Sequence, residues 1–276
     1  MPATIVAWAM RWGGLHKKLV YLGRGPRRTG VGRLPLLRLA LHRYLGESDF
    51  ELELRAGSVF LAAETMAIDQ ATLHEILVDE DYDTDVRDAP VIDLGAHKGY
   101  FGAFALSRGA ASVISYEPER QNFAYLQRAL RSVDSKLPGR WRAYNAAIGD
   151  GEGRATLRVS PDSWAHSLQG WPQEQPADEY EVDVLPAERV LEEARSMPGS
   201  RLMAKIDVEG SECEAVCATP SESWASVDEM FVEHHRIATC ALQEIVAHLR
   251  AAGLELTSRI EPGPVDQLLR FRRPPA

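Results

Sequence analysis

The chain has 276 residues, of which 45% are hydrophobic and 26% charged, enough apolar material for a sizeable core and too much for wholesale disorder. Its formal net charge of −9 argues against a general nucleic-acid binder, because neutralising phosphates takes a surplus of Lys and Arg. The charge is unevenly spread: residues 1–46 hold nine Lys or Arg and no Asp or Glu.

Length admits one α/β domain with an addition, so we expect an N-terminal extension over residues 1–88 and a main domain over 89–276. Helical stretches are predicted near residues 2–22 and 34–45. In the first, Ile5, Val6, Trp8, Ala9 and Trp12 can share an apolar stripe while Arg11, Lys17 and Lys18 stay wet. A lid over the acceptor site or a dimer contact is the preferred reading. A basic helix lying on an anionic membrane surface, or a disordered tail, is the alternative. A hairpin is expected through FELELRAGSVFLAAE, residues 50–64. The N-terminus has no basic n-region before its apolar stretch and no apolar run is long enough to span a bilayer, so we expect a cytoplasmic protein.

From residue 91 onward, short β-rich runs alternate with helical patterns, the signature of a doubly wound, mostly parallel sheet. Strands are predicted at 91–94, 113–117, 141–146, 202–208 and 230–234, and helices at 101–107, 120–133, 187–195, 211–218 and 239–252. Residues 254–260 and 267–273 then read as an antiparallel end to the sheet. Residues 162–178, rich in Pro, Gln and Trp, are long for a plain connection and are expected to cover a ligand crevice. Cys213, Cys217 and Cys240 form an odd set without CxxC spacing, which predicts neither a disulfide framework nor a zinc site.

The chemistry-bearing segments sit at predicted strand ends. In VIDLGAHKGYFG, residues 91–102, an apolar strand ends at Asp93, Gly95 permits a tight turn, and Gly99 and Gly102 allow close approach of a ligand or helix. The spacing is GxxxGxxG rather than the GxGxxG of a pyrophosphate loop. Glu117 ends the next strand, 22 residues after Gly95, where a carboxylate can accept hydrogen bonds from both ribose hydroxyls. Asn145 and the small Ala146 end the third strand, leaving room for a flat adenine ring. Asp207 and Glu209 follow the fourth strand, and Glu233, His234 and His235 follow the fifth. His166 reads as a solvated loop residue.

VIDLGAHKGYF, YEPE, YNAAIGDGEG, KIDVEGSE and VEHH, in that order over about residues 88–236, resemble the FkbM-type class I methyltransferases. The resemblance implies a doubly wound seven-stranded sheet, S-adenosylmethionine as cofactor, and methyl transfer to a hydroxyl of a small molecule such as a secondary metabolite or sugar. Carried over by position, it puts Asp93, Gly95, His97 and Gly99 at the methionine end of the cofactor, Glu117 at the ribose and Asn145 with Ala146 at the adenine. Asp207 would meet the methionine amine or the substrate. His97 departs from the family pattern, which usually has Asn there, and Glu188 stands roughly where an Asp is expected.

A hydroxyl acceptor must lose its proton, so a base or a cation is expected beside it. Asp207, Glu233, His234 and His235 are the catalytic candidates. Metal-free catalysis by a His base oriented by a carboxylate is preferred, and a divalent metal held by the same residues is the alternative. Strand alternation requires one of His234 and His235 to face away. Two other functions share the Gly turn and the ribose carboxylate: a nicotinamide-dependent oxidoreductase, and a catalytically silent cofactor-binding protein.

Overall fold

The computed structural model of the chain describes residues 33–45, 48–79, 81–171, 175–260 and 266–275. The helix expected at residues 2–22, and with it the lid and membrane readings of the basic segment, lies outside them. Among the described residues, no helix is long and apolar enough to cross a membrane.

The extension comprises α1 (Arg33–Leu45), the antiparallel hairpin β1 (Phe50–Glu53) and β2 (Ser58–Leu61), and α2 (Met66–His74), which runs into a π-helical turn at Glu75–Asp79. The main alternation follows: β3 (Pro90–Leu94), α3 (Tyr100–Ser107), β4 (Ser112–Tyr116), α4 (Arg120–Asp134) and β5 (Trp141–Tyr144). After β6 (Ala147–Gly149), β7 (Gly153–Val159) and β8 (Asp178–Pro186) come α5 (Ala187–Arg195), β9 (Met203–Ile206), α6 (Glu212–Val216) and β10 (Glu229–His234). The chain closes with α7 (Leu242–Ala251), β11 (Glu255–Ile260) and β12 (Gln267–Arg272).

Seven strands form one sheet in the order β11-β12-β10-β9-β3-β4-β5. The β9–β3–β4–β5 pairings and the β9–β10 pairing are parallel, and β12 runs antiparallel to both β10 and β11. This is the doubly wound, mostly parallel sheet expected above. Its central strands are buried on both faces, which is why PVIDL and MAKI read as near-continuous rather than alternating runs. Val91, Val113 and Phe231 face one core cluster, shared with α3, α4 and the extension's Leu52, Val59, Leu61 and Leu73. Ile92, Ile114 and Val232 face the other, with α5, α6 and α7. In α4, buried Asn122, Leu126, Ala129 and Val133 recur at helical spacing, and the N-cap Glu119 side chain accepts from the Asn122 N–H.

Two expectations are corrected. The third strand stops at Tyr144 rather than 146, because Asn145 donates its side-chain amide to the carbonyls of Glu117 (2.8 Å) and Pro118 (2.9 Å) and turns the chain away. Ala147 then opens a second, three-stranded sheet, β6-β8-β7, that the sequence reading did not contain. The cysteine reading also fails, since Cys213 and Cys240 form a disulfide between α6 and the segment preceding α7. Cys217 is the free one.

Candidate active site at the sheet switch point

From β3 the chain builds outward on one side through β4 and β5 and later returns to the other side as β9. The crevice at the carboxyl ends of β3 and β9 is therefore the topological switch point, where open α/β sheets bind ligands. Gly95 shows how tightly the two strand ends meet: it has φ +75°, and a Cβ there would lie 1.6 Å from the Asp207 carbonyl oxygen. Its N–H donates to the Tyr116 carbonyl (3.0 Å), and the Asp207 N–H donates to the Leu94 carbonyl (3.0 Å).

On the β3–β4 side, Asp93 is fully buried, accepts from Ser115 Oγ (3.2 Å), and faces the Lys205 ammonium at 3.6 Å. Glu117 takes the backbone N–H of His97 on one carboxylate oxygen (2.8 Å) and that of Glu119 on the other (2.9 Å). Burial pushes its carboxyl up to about 8 against the pull of these two donors. Gly99, at φ +84°, caps α3, where an added Cβ would strike Leu126 and Trp141. Ala146 is buried and Asn145 is exposed beside Glu117.

His97 stands in the left-handed region at φ +51°. Its ring lies edge-on to Tyr100, 3.4 Å from Ser163 Oγ and 4.0 Å from Asp69. Burial holds the imidazole well below its ordinary range. Beside it, buried Lys98 donates to both carboxylate oxygens of Asp69 in α2, at 2.7 and 2.8 Å. This Lys98–Asp69 pair, which sequence reasoning missed, ties the extension to the loop after β3.

Across the crevice, β9 and β10 deliver a second cluster. Lys205 in β9 donates to the Gly95 carbonyl (2.9 Å) and pairs with Asp207 (3.0 Å). Burial opposes its charge, but Asp207 and Asp93 outweigh burial and raise it above the ordinary lysine range. Glu233 and His235, two residues apart, face the same side, and Tyr82 from the segment before β3 donates to Glu233 at 3.3 Å. His235 Nδ1 lies 2.7 Å from Glu212 Oε1, and Nε2 lies 3.3 Å from Glu209 and 3.8 Å from Asp207. Glu209 holds φ +49°, so a non-glycine residue sits in the left-handed region in each of the two loops flanking the crevice.

Of the two histidines, His235 faces the cluster, whereas His234 points away and makes a 3.2 Å contact with the Cys240 carbonyl. The carboxylate expected to orient a His base is present, with Glu212 Oε1 2.7 Å from His235 Nδ1. Burial would make the imidazole less basic, but Glu209 and Glu212 outweigh it and raise His235 well above its ordinary range. His166 is not a solvated loop residue either: its side chain is 9% exposed, accepts the Ser160 N–H (3.1 Å), and lies 4.0 Å from Glu119.

Within the segment between β7 and β8, residues 163–171 lie across this crevice. Ser163 meets His97 and accepts from the Asn122 amide through its carbonyl (2.8 Å), while Ser167 Oγ donates to the Glu209 carbonyl. Trp171 packs edge-on against His235 at 6.2 Å between ring centroids. Sequence reasoning also missed Tyr82 and Glu212. Tyr82 carries no motif or period, whereas Glu212 closes the KIDVEGSE segment and was within reach.

A sequence profile of the methyltransferase FkbM domain matches residues 93–256. No curated protein matches the chain in sequence. Among solved structures, the chain is similar to the FkbM methyltransferase of Methylobacillus flagellatus KT, with TM-score 0.50 and 17% identity over 76% of this chain and 53% of that one. It thus spans about half the length of that protein. A lesser likeness is to magnesium protoporphyrin IX methyltransferase of Synechocystis PCC 6803, solved with bound SAM, at TM-score 0.41 and 10% identity over 76% of this chain and 82% of that one. The profile runs from Asp93 through Glu117 and Asp207 to beyond His235, taking in both halves of the crevice and leaving the hydride-transfer alternative without support. The chain belongs to the FkbM family of methyltransferases.

Proposed function

We propose that the protein transfers the methyl group of S-adenosylmethionine to a hydroxyl oxygen of a small molecule. The observation that carries this reading is the pairing of two clusters across one switch point. The Gly95 turn and Glu117 suit the methionine and ribose of the cofactor, and the carboxylates of Asp207, Glu209 and Glu233 face the acceptor side. In the reaction, a lone pair on the acceptor oxygen forms the O–CH3 bond as the S–CH3 bond breaks. The sulfur keeps the bonding pair, giving neutral S-adenosylhomocysteine. The hydroxyl proton passes to the carboxylate set, which a thioether acceptor would not require. Trp171 and the 160–171 segment would exclude water from the transfer.

The test is mass spectrometry after incubation with S-adenosylmethionine and a panel of small hydroxylated compounds. The expected product carries one new O-methyl group. Asp207→Asn should slow turnover by about 100-fold or more with the cofactor still bound. Methylation at nitrogen or carbon, or full turnover by Asp207→Asn, would overturn the reading.

A further inference from the structure

One donor atom each from Asp207, Glu233 and His235 lies within 4.8 Å of the others, so the three can converge on a single ion. The imidazole is oriented for this. A carboxylate only accepts, so the 2.7 Å contact with Glu212 Oε1 makes His235 Nδ1 the donor and turns Nε2 toward Asp207 and Glu209. A histidine whose far nitrogen donates to a buried carboxylate is the arrangement that fixes metal-binding imidazoles. Glu212 is fully buried and aimed into this cluster, yet its second oxygen has no hydrogen-bond partner among the described residues. Asp207, Glu209 and Glu212 gather around the His235 ring, Glu233 lies alongside, and Lys205 is the ammonium against Asp93 and Asp207. Carboxylates gathered this closely in a largely buried site beside a single ammonium favour a further cation. The Cys213–Cys240 disulfide joins α6, next to Glu212, to the segment that follows His235, which limits their separation.

We propose that Asp207, Glu233 and His235 bind a divalent cation, with Glu212 positioning the imidazole. The proposal deepens the O-methyl reading and rests on it: the cation would take the acceptor oxygen as a further ligand and lower the pKa of its hydroxyl. Two carboxylate oxygens and one imidazole nitrogen form a mixed set that suits Mn2+, which also serves as the probe.

The full chain, stripped with chelator, is titrated with Mn2+ and followed by electron paramagnetic resonance and calorimetry, without any methyl acceptor. Stoichiometric binding is expected, lost in Asp207→Asn and His235→Gln and weakened about tenfold or more in Glu212→Gln. Circular dichroism checks that each variant is folded, and two ligand variants are used so that one folding failure does not decide the matter. No binding by the wild type, or binding unchanged in both folded ligand variants, overturns the proposal. So does stoichiometric displacement of Mn2+ by S-adenosylmethionine, which would make the cluster a seat for the cofactor's ammonium. Mn2+ binding without any O-methylated product would leave the cation site standing and sink the O-methyl reading. O-methylation at full rate after chelation would do the reverse.

Discussion

Gly95→Ala is expected to cost at least about 4 kcal/mol of stability and to abolish cofactor binding. Two effects add at this position. An alanine held at φ +75° costs about 1–2 kcal/mol on its own. The larger effect is the clash: a Cβ 1.6 Å from the Asp207 carbonyl oxygen can be relieved only by driving the ends of β3 and β9 apart. That movement breaks the Asp207-to-Leu94 backbone hydrogen bond and pulls the Gly95 carbonyl from Lys205. Gly139→Ala is the control, because Gly139 has φ +72° with nothing within 4 Å of an added Cβ, so it should show only the backbone cost. Urea denaturation of the two variants separates strain from close approach. Equal losses would mean that the two strand ends do not meet as described.

Lys205→Met should destabilise the protein by about 3–5 kcal/mol, since removing one partner of a buried ion pair leaves its carboxylates uncompensated. Asp93 is fully buried and cannot turn to bulk water without opening the crevice, whereas Asp207, 3.0 Å from the ammonium, is 24% exposed and can relax in part. In a thermal melt the loss should appear as a fall of about 10 °C in Tm. Adding Asp93→Asn should recover part of it, because the double variant no longer buries an unpaired charge there. Arg87→Met, which breaks the exposed pair with Asp85, should melt like the wild type. If Lys205→Met also melts like the wild type, the buried charge network is not as drawn.

The central strands and their helices were legible because burial on both sheet faces leaves continuous apolar runs, and α4 buries a single stripe at helical spacing. The second sheet was not. Most of β7 and β8 is exposed or half-exposed, so GRATLRV offers a single buried residue, Leu157, and a thin apolar signal even though the alternation in YEVDV was present. Asp93, Glu117, Asp207 and Glu233 could be placed beforehand because ligands gather at the carboxyl ends of parallel strands. Choosing His235 over His234 needed the strand's phase, which Glu233 supplies once it is seen to face the cluster. Tyr82 reaches the site from a connection without periodicity. The Cys213–Cys240 pairing depends on α6 meeting the segment before α7 across 27 residues of sequence, which no local pattern encodes.

Calorimetric titration of S-adenosylmethionine into the wild type and Glu117→Ala tests the account most directly. Burial raises the Glu117 carboxyl to about 8, so below that pH the proton competes with the ribose hydroxyls for the carboxylate. Wild-type affinity should therefore rise from pH 6 to 8, by up to about tenfold per unit, and level off above. Glu117→Ala should weaken binding by about 100-fold or more, the worth of two charge-assisted hydrogen bonds, and should lose this pH dependence. Failure of the wild type to bind S-adenosylmethionine, or equal affinity in Glu117→Ala, would contradict it.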